Sequence, residues 1–166
     1  VCFNAEKSIR KTLQSVLEQT WTDFEYIIKD GNSTDRTCQL VEEYAPLFVK
    51  RGIACRLIRC QDKGIYDAMN QGLVYASGKW VNFLNADDWY LSPDTLQTVS
   101  RAFSAAGNDI LCGDAVEEEY GRRFLFAAAP EEIEQHHAFC HQAAFIRMEW
   151  MKRYGYYDTS FRIAFP

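Results

Sequence analysis

The feature that most limits what this chain can fold into is its alternation between two hydrophobic periods. Ile9, Leu13, Val16 and Leu17 recur at helical spacing and predict a helix running to about Gln19, with Asn4 as its N-cap. Residues 24–29 then read as a buried strand, closed by the turn-forming run 30–35. Ser33 or Thr34 can cap the helix that follows, whose apolar face is Cys38, Val41, Tyr44 and Phe48. Residues 55–60 read as a strand, and Ile65, Met69, Leu73 and Ala76 mark a third helix stopped by Ser77-Gly78. A strand at 81–84, a helix from Pro93 through Leu96, Val99 and Phe103, and a strand at 109–113 continue the pattern. A hairpin at 116–120 and 123–127, a strand at 142–146 and a short helix at 149–153 complete it. Strands that alternate with helices imply a mostly parallel sheet covered on both faces, and such sheets bind ligands beyond the carboxyl ends of their strands. Three polar clusters, 30–35, 62–67 and 85–89, fall at that edge.

The last cluster is the most informative. The apolar run Val81-Asn82-Phe83-Leu84 stops at Asn85-Ala86-Asp87-Asp88-Trp89. Two adjacent carboxylates at the mouth of a buried strand repel each other, and a hard divalent cation is a natural partner. The plain alternative is a polar turn with Asp88 or a neighbour capping the next helix. Trp89 and Tyr90 can stack on a sugar or pack in the core.

At 166 residues and 48% apolar content, the chain suits one domain with a sizeable core. Its net charge of −5 and lack of a basic stripe argue against nucleic acid. Its six cysteines form no C-x-x-C pair and sit in apolar contexts, so they read as reduced thiols. His136, His137 and His141 have no Cys or acidic ligand at matching spacing, which disfavours zinc. No GxGxxG or P-loop motif occurs, nor an 18-residue apolar run. The start at Val1-Cys2-Phe3-Asn4 reads as the tail of a strand, and residues 1–166 as a single domain cut at both ends.

Four pieces in order resemble the inverting family-2 glycosyltransferases of GT-A fold. They are Asn4-Ala5 with Ser15 to Gln19, Lys29-Asp30-Gly31-Asn32-Ser33-Thr34-Asp35, Asp62-Lys63-Gly64-Ile65-Tyr66-Asp67-Ala68-Met69-Asn70, and Phe83 to Asp88. His141-Gln142 is similar to a subgroup of bacterial exopolysaccharide enzymes. The resemblance implies a three-layer α/β/α sandwich with a mostly parallel, mixed sheet and a Rossmann-like nucleotide-binding half. It implies a nucleotide-diphosphate sugar donor, UDP-sugar favoured, and transfer with inversion to a saccharide or lipid-linked saccharide. It further implies Mg²⁺ or Mn²⁺ at Asp87 and Asp88. Donor contacts would come from Asn4, Asp30, Asp62, Gly64, Asp67, Asn70, Asn85, Asp87, His141 and Gln142. For Asp62 and Asp67, dipole compensation at a helix start remains open. Asn85 stands where the usual D-x-D pattern has its first Asp. The acceptor's base would lie close to or just past Pro166, with Asp114 the candidate inside the chain and Asp158 a turn residue. The expected location is the cytoplasm, with peripheral attachment at the inner face of its membrane an option. A sugar nucleotidyltransferase is the first rival, but it calls for a Gly-rich basic loop where Phe3 to Lys7 stands. A non-catalytic nucleotide-sugar-binding module is the second.

Overall fold

A computed structural model describes residues 1–103, 107, 109–129 and 139–161. The helices are α1 (Ile9–Leu17), α2 (Thr37–Lys50), α3 (Ile65–Leu73), α4 (Thr95–Ala102) and α5 (Met148–Tyr154). The strands are β1 (Glu25–Asp30), β2 (Ala54–Arg59), β3 (Trp80–Asn82), β4 (Ile110–Cys112), β5 (Ala115–Glu119), β6 (Arg122–Phe126) and β7 (Ala144–Arg147). A 3-10 turn, His141–Ala143, leads into β7.

Pairing is mixed. β1 and β2 run parallel, from Glu25 opposite Ala54 to Asp30 opposite Arg59. β7 lies between β3 and β4, antiparallel to both. β5 and β6 form the expected hairpin, one residue earlier than the sequence pattern placed it. The first residues join the β1–β2 sheet to the end of β3. Cys2 bridges Asp30 in parallel, and Val1 N donates to Leu84 O at 3.3 Å. Below that junction a cavity of about 770 Å³ separates β1 from β3, lined by Tyr26, Ile27, Leu73, Trp80, Val81 and Phe103 among others.

Two apolar clusters sit on opposite sides of β1, as the alternation of strand side chains requires. Ile28 packs with Ile9, Leu13, Val16, Val41 and Phe48 of α1 and α2. The next residue, Lys29, faces α3, where a Cβ on Gly72 would lie 3.8 Å from Lys29 Cβ. Met69 and Leu73 of α3 join Phe83, Met148 and Met151 in the second cluster. Gln19 is fully buried and ties α1 to α4. Its Nε2 donates to Ser15 O and Ser92 O, and its Oε1 accepts from Leu96 N–H at 3.0 Å.

The six thiols are free, and Cys60 alone is exposed. Burial pushes the Cys2 thiol up to about 12 and the Cys38 and Cys55 thiols up to about 11, Asp30 adding charge repulsion at Cys2 and Cys38. Among the described residues no helix is long and apolar enough to cross a membrane.

Candidate active site

The three polar clusters do gather at the carboxyl ends of β1, β2 and β3, but their side chains are spent differently from the sequence expectation. Asp30 ends β1 and is 0% exposed. Its Oδ2 accepts from Ser33 N–H at 2.8 Å, and its Oδ1 from the Ser33 hydroxyl. Burial alone would raise its pKa, yet the hydrogen bonds from Ser33, Cys38 and Cys2 outweigh that and hold the carboxylate below its usual range. Asp30 therefore shapes the turn. Asn4, at φ 48°, accepts from Thr34 N–H at 2.9 Å and does not cap α1, which starts at Ile9. Nor does Ser33 or Thr34 cap α2, whose N-cap is Arg36 with no side-chain cap bond; Asp35, just before it, accepts from Thr37 N–H at 3.0 Å and from Glu6 N–H at 3.0 Å. These tertiary bonds hold the Asn4 to Glu6 backbone against the 33–37 turn.

In the second cluster Asp62 pairs with Lys29 at 2.7 Å, and its other oxygen accepts from Gly64 N–H at 3.2 Å. Gly64 needs its φ of 132° to start α3, a conformation that glycine adopts without strain. Asp67 lies in the first turn of α3, where a carboxylate complements the helix dipole. It accepts from Lys63 N–H at 2.8 Å and Gln71 Nε2 at 3.1 Å. Asn70 is paired with the backbone of Tyr157. Its Nδ2 donates to Tyr157 O at 2.8 Å, and its Oδ1 accepts from Tyr157 N–H at 2.9 Å. Asn70→Ala is expected to cost about 1–3 kcal/mol and to speed amide exchange at Tyr157. Unchanged exchange there would show that the two bonds do not hold the segment.

The third cluster follows β3, which ends at Asn82 rather than Leu84. The loop is tied from below: the Thr12 hydroxyl donates to Asp88 O at 2.7 Å, and Asp88 N–H to Asn85 O at 3.2 Å. Asp87 is exposed and Asp88 half-buried. Burial first, and Asp87 second, raise the Asp88 carboxyl above its usual range, while hydrogen bonds from Asn85 and Gln142 oppose the shift. Asn85 Oδ1 and Asp88 Oδ2 are both buried without a hydrogen-bond partner. Two such oxygens in one short loop suit a cation, because an unpaired buried acceptor is otherwise costly. Asn85 and Asp88 are thus the residues that could hold a metal, with Asp87 beside them. Among the described residues no group of three or more His, Cys, Asp or Glu side chains is arranged to hold one.

His141 stacks on Phe83 at 5.5 Å between ring centroids, and its Nε2 lies 2.6 Å from the Tyr157 hydroxyl. Burial lowers its pKa, which favours the neutral ring. Gln142 offers its backbone oxygen to Asn82 Nδ2 at 2.8 Å and its side-chain oxygen to the Cys140 thiol. Trp89 is covered by Lys11, whose Nζ stands 3.1 Å from the ring centroid. Asp114 is exposed and accepts from Ala128 N–H at 3.0 Å, closing the base of the hairpin. Asp158 accepts from Ser160 N–H at 2.8 Å, the turn role expected of it. His136, His137 and Pro166 lie outside the described residues. Sequence reasoning missed Lys29, Thr12 and Tyr157. Lys29 had a signal, a lone charge at the end of the apolar run Tyr26-Ile27-Ile28; the other two had none.

The sequence model named Glycosyl transferase family 2 matches residues 1–155. A PGL/p-HBAD biosynthesis glycosyltransferase of Mycobacterium bovis is 34% identical over 162 residues, covering 97% of this chain and 62% of that protein. The chain thus spans less than two thirds of the length of this curated relative. Among solved structures, S. aureus TarS 1-349 in complex with UDP superposes with a TM-score of 0.77 at 22% identity, over 98% of this chain and 49% of that one. The mannosyltransferase PcManGT of Pyrobaculum calidifontis, in complex with GDP-Man and Mn²⁺, gives 0.74 at 20% identity, over 95% and 46%. These likenesses establish a GT-A-like α/β fold.

Proposed function

Because the chain belongs to glycosyl transferase family 2, we propose that it binds a nucleoside-diphosphate sugar, UDP-linked in preference, at the edge formed by residues 30–35, 60–67 and 85–88. The sugar then passes with inversion to a saccharide or lipid-linked saccharide during surface-glycan synthesis. The observation that carries this reading is the pair of partnerless buried oxygens on Asn85 and Asp88 at a strand end. Mg²⁺ or Mn²⁺ there would neutralise the leaving diphosphate. Asp87 would take water or ribose, and the neutral His141 and Gln142 would approach the diphosphate from the β7 side. Asp114, already bonded to Ala128 N–H, we assign to the hairpin rather than to proton transfer. The protein would work in the cytoplasm or at the inner membrane face.

Titration calorimetry with UDP, GDP and their sugars, with and without Mn²⁺, tests the reading. Micromolar binding that needs the metal is expected. No heat for any donor at millimolar concentration would overturn it. Release of pyrophosphate from a nucleoside triphosphate and a sugar phosphate would instead favour the nucleotidyltransferase.

A further inference from the structure

The side chain that joins two of the three clusters is not itself at the surface. Lys29 is 1% exposed, and an ammonium in that position is unfavourable unless each of its protons meets an acceptor. All three do: Asp30 O at 3.1 Å, Cys60 O at 2.6 Å and Asp62 Oδ2 at 2.7 Å. Its stem runs along α3 beside Gly72. The ammonium therefore sits where β1 ends, β2 ends and the approach to α3 begins. Asp62 is equally committed, one oxygen to Lys29 and the other to Gly64 N–H. Gly31 closes the arrangement from the turn side, since a Cβ there would lie 2.9 Å from Asp62 Oδ2 and 3.2 Å from Phe3 Cδ2.

We propose that Lys29 is a positioning residue for the donor edge, and that Asp62 is its internal counter-ion rather than a ligand of the donor. The pair fixes the distance between the 30–35 turn and the 60–67 loop, and so the shape of the edge they form. The donor part of this proposal rests on the reading above. Removing the ammonium leaves Asp62 a partly buried anion without its partner, which drives the loop outward toward water. Removing both charges together relieves that strain but does not restore the link between the loops.

The test uses the full-length protein with K29M, D62N and the K29M/D62N double variant. Donor KM and kcat, thermal midpoint and amide exchange at Lys63 and Gly64 are measured on each. For K29M, donor KM is expected to rise by about tenfold or more with kcat within about threefold, the signature of lost binding rather than lost transition-state contact. Exchange at Gly64 is expected to accelerate in K29M and less in D62N. The double variant is expected to recover thermal stability toward the parent while its donor KM stays high. A K29M protein with a lower melting point but the parent's KM and loop exchange would make Lys29 structural only. A D62N protein that loses donor binding with unchanged loop exchange would make Asp62 a ligand and overturn the assignment. Should the parent bind no donor, the exchange data on metal- and donor-free protein still decide whether the pair holds the loop. Should K29M not fold, the D62N and double variants decide it.

Discussion

Alanine at Asp88 is expected to abolish metal-dependent donor binding and to leave the fold intact. The fold should survive because the 85–88 loop is held through backbone: Thr12 bonds Asp88 O, and Asp88 N–H bonds Asn85 O. Binding should fail because Asp88 Oδ2 is the one buried, partnerless carboxylate oxygen among the described residues. Losing it should weaken the metal and the diphosphate by about a hundredfold or more. Calorimetry with Mn²⁺ and UDP measures the loss, and circular dichroism the fold. Asp87→Ala should do less harm to the metal, since Asp87 is exposed. If both variants bind donor as well as the parent, the acidic pair is a turn and nothing more. The electrostatics add a signed corollary. Burial raises the folded-state pKa of Asp88 above its unfolded value, so the native protein holds that proton longer. Without metal, stability therefore falls as pH rises through the window between the unfolded and folded values, and the penalty is fully present above the folded value. Asp88→Asn should flatten that part of the profile, and metal should stabilise the parent but not the variant.

Phe48→Ala is expected to give the largest loss of stability. Phe48 is 0% exposed in the cluster between α1, α2 and β1, with its ring 5.3 Å from that of Tyr26. Its carbonyl also receives Ile53 N–H at 3.0 Å, where the chain turns from α2 to β2. Truncating a buried Phe costs about 3–5 kcal/mol, transfer and cavity terms together. A domain of this kind has about 5–15 kcal/mol in total. The melting point should fall by roughly 6–20 °C. Val49 next to it is 68% exposed, and Val49→Ala should stay within about 0.5 kcal/mol. Equal effects at the two positions would mean that α2 presents another face to the core.

Helices were legible because their burial repeats locally. Ile9, Leu13 and Val16 are buried as their spacing requires, and so are Cys38, Val41, Tyr44 and Phe48. The gathering of the three polar clusters at the strand ends followed from the alternation of elements. Pairing was less legible. β3 stops at Asn82 because the Asn82 amide reaches across to Gln142 O and Ala144 O beside β7, partners some sixty residues away that no local period encodes. Caps were misread for a similar reason. Asn4 and Ser33 have capping chemistry, but they spend it on each other's loops, and α2 starts after Arg36 with no side-chain cap. The placement of the acidic pair 87–88 in the loop after β3 was legible from its position after an apolar run. The use of Asp30, Asp62 and Asn70 was not, because a carboxylate or amide at a strand end has the same sequence signature whether it faces a ligand or a neighbouring backbone. Asn70 answers to Tyr157, 87 positions along the chain.

The distribution of the thiols has a chemical consequence. Thiolate is the reactive form of cysteine, and Cys2, Cys38 and Cys55 hold very little of it at neutral pH, since burial has pushed them to about 12, 11 and 11. Cys60 is the exposed one. An alkylating label thus meets Cys60 first, on the residue whose carbonyl the buried Lys29 grips. The half-buried Cys55, Cys112 and Cys140 follow more slowly, and the buried Cys2 and Cys38 react only as the fold opens, so a single reagent reads out both the movement of the loop and the breathing of the core.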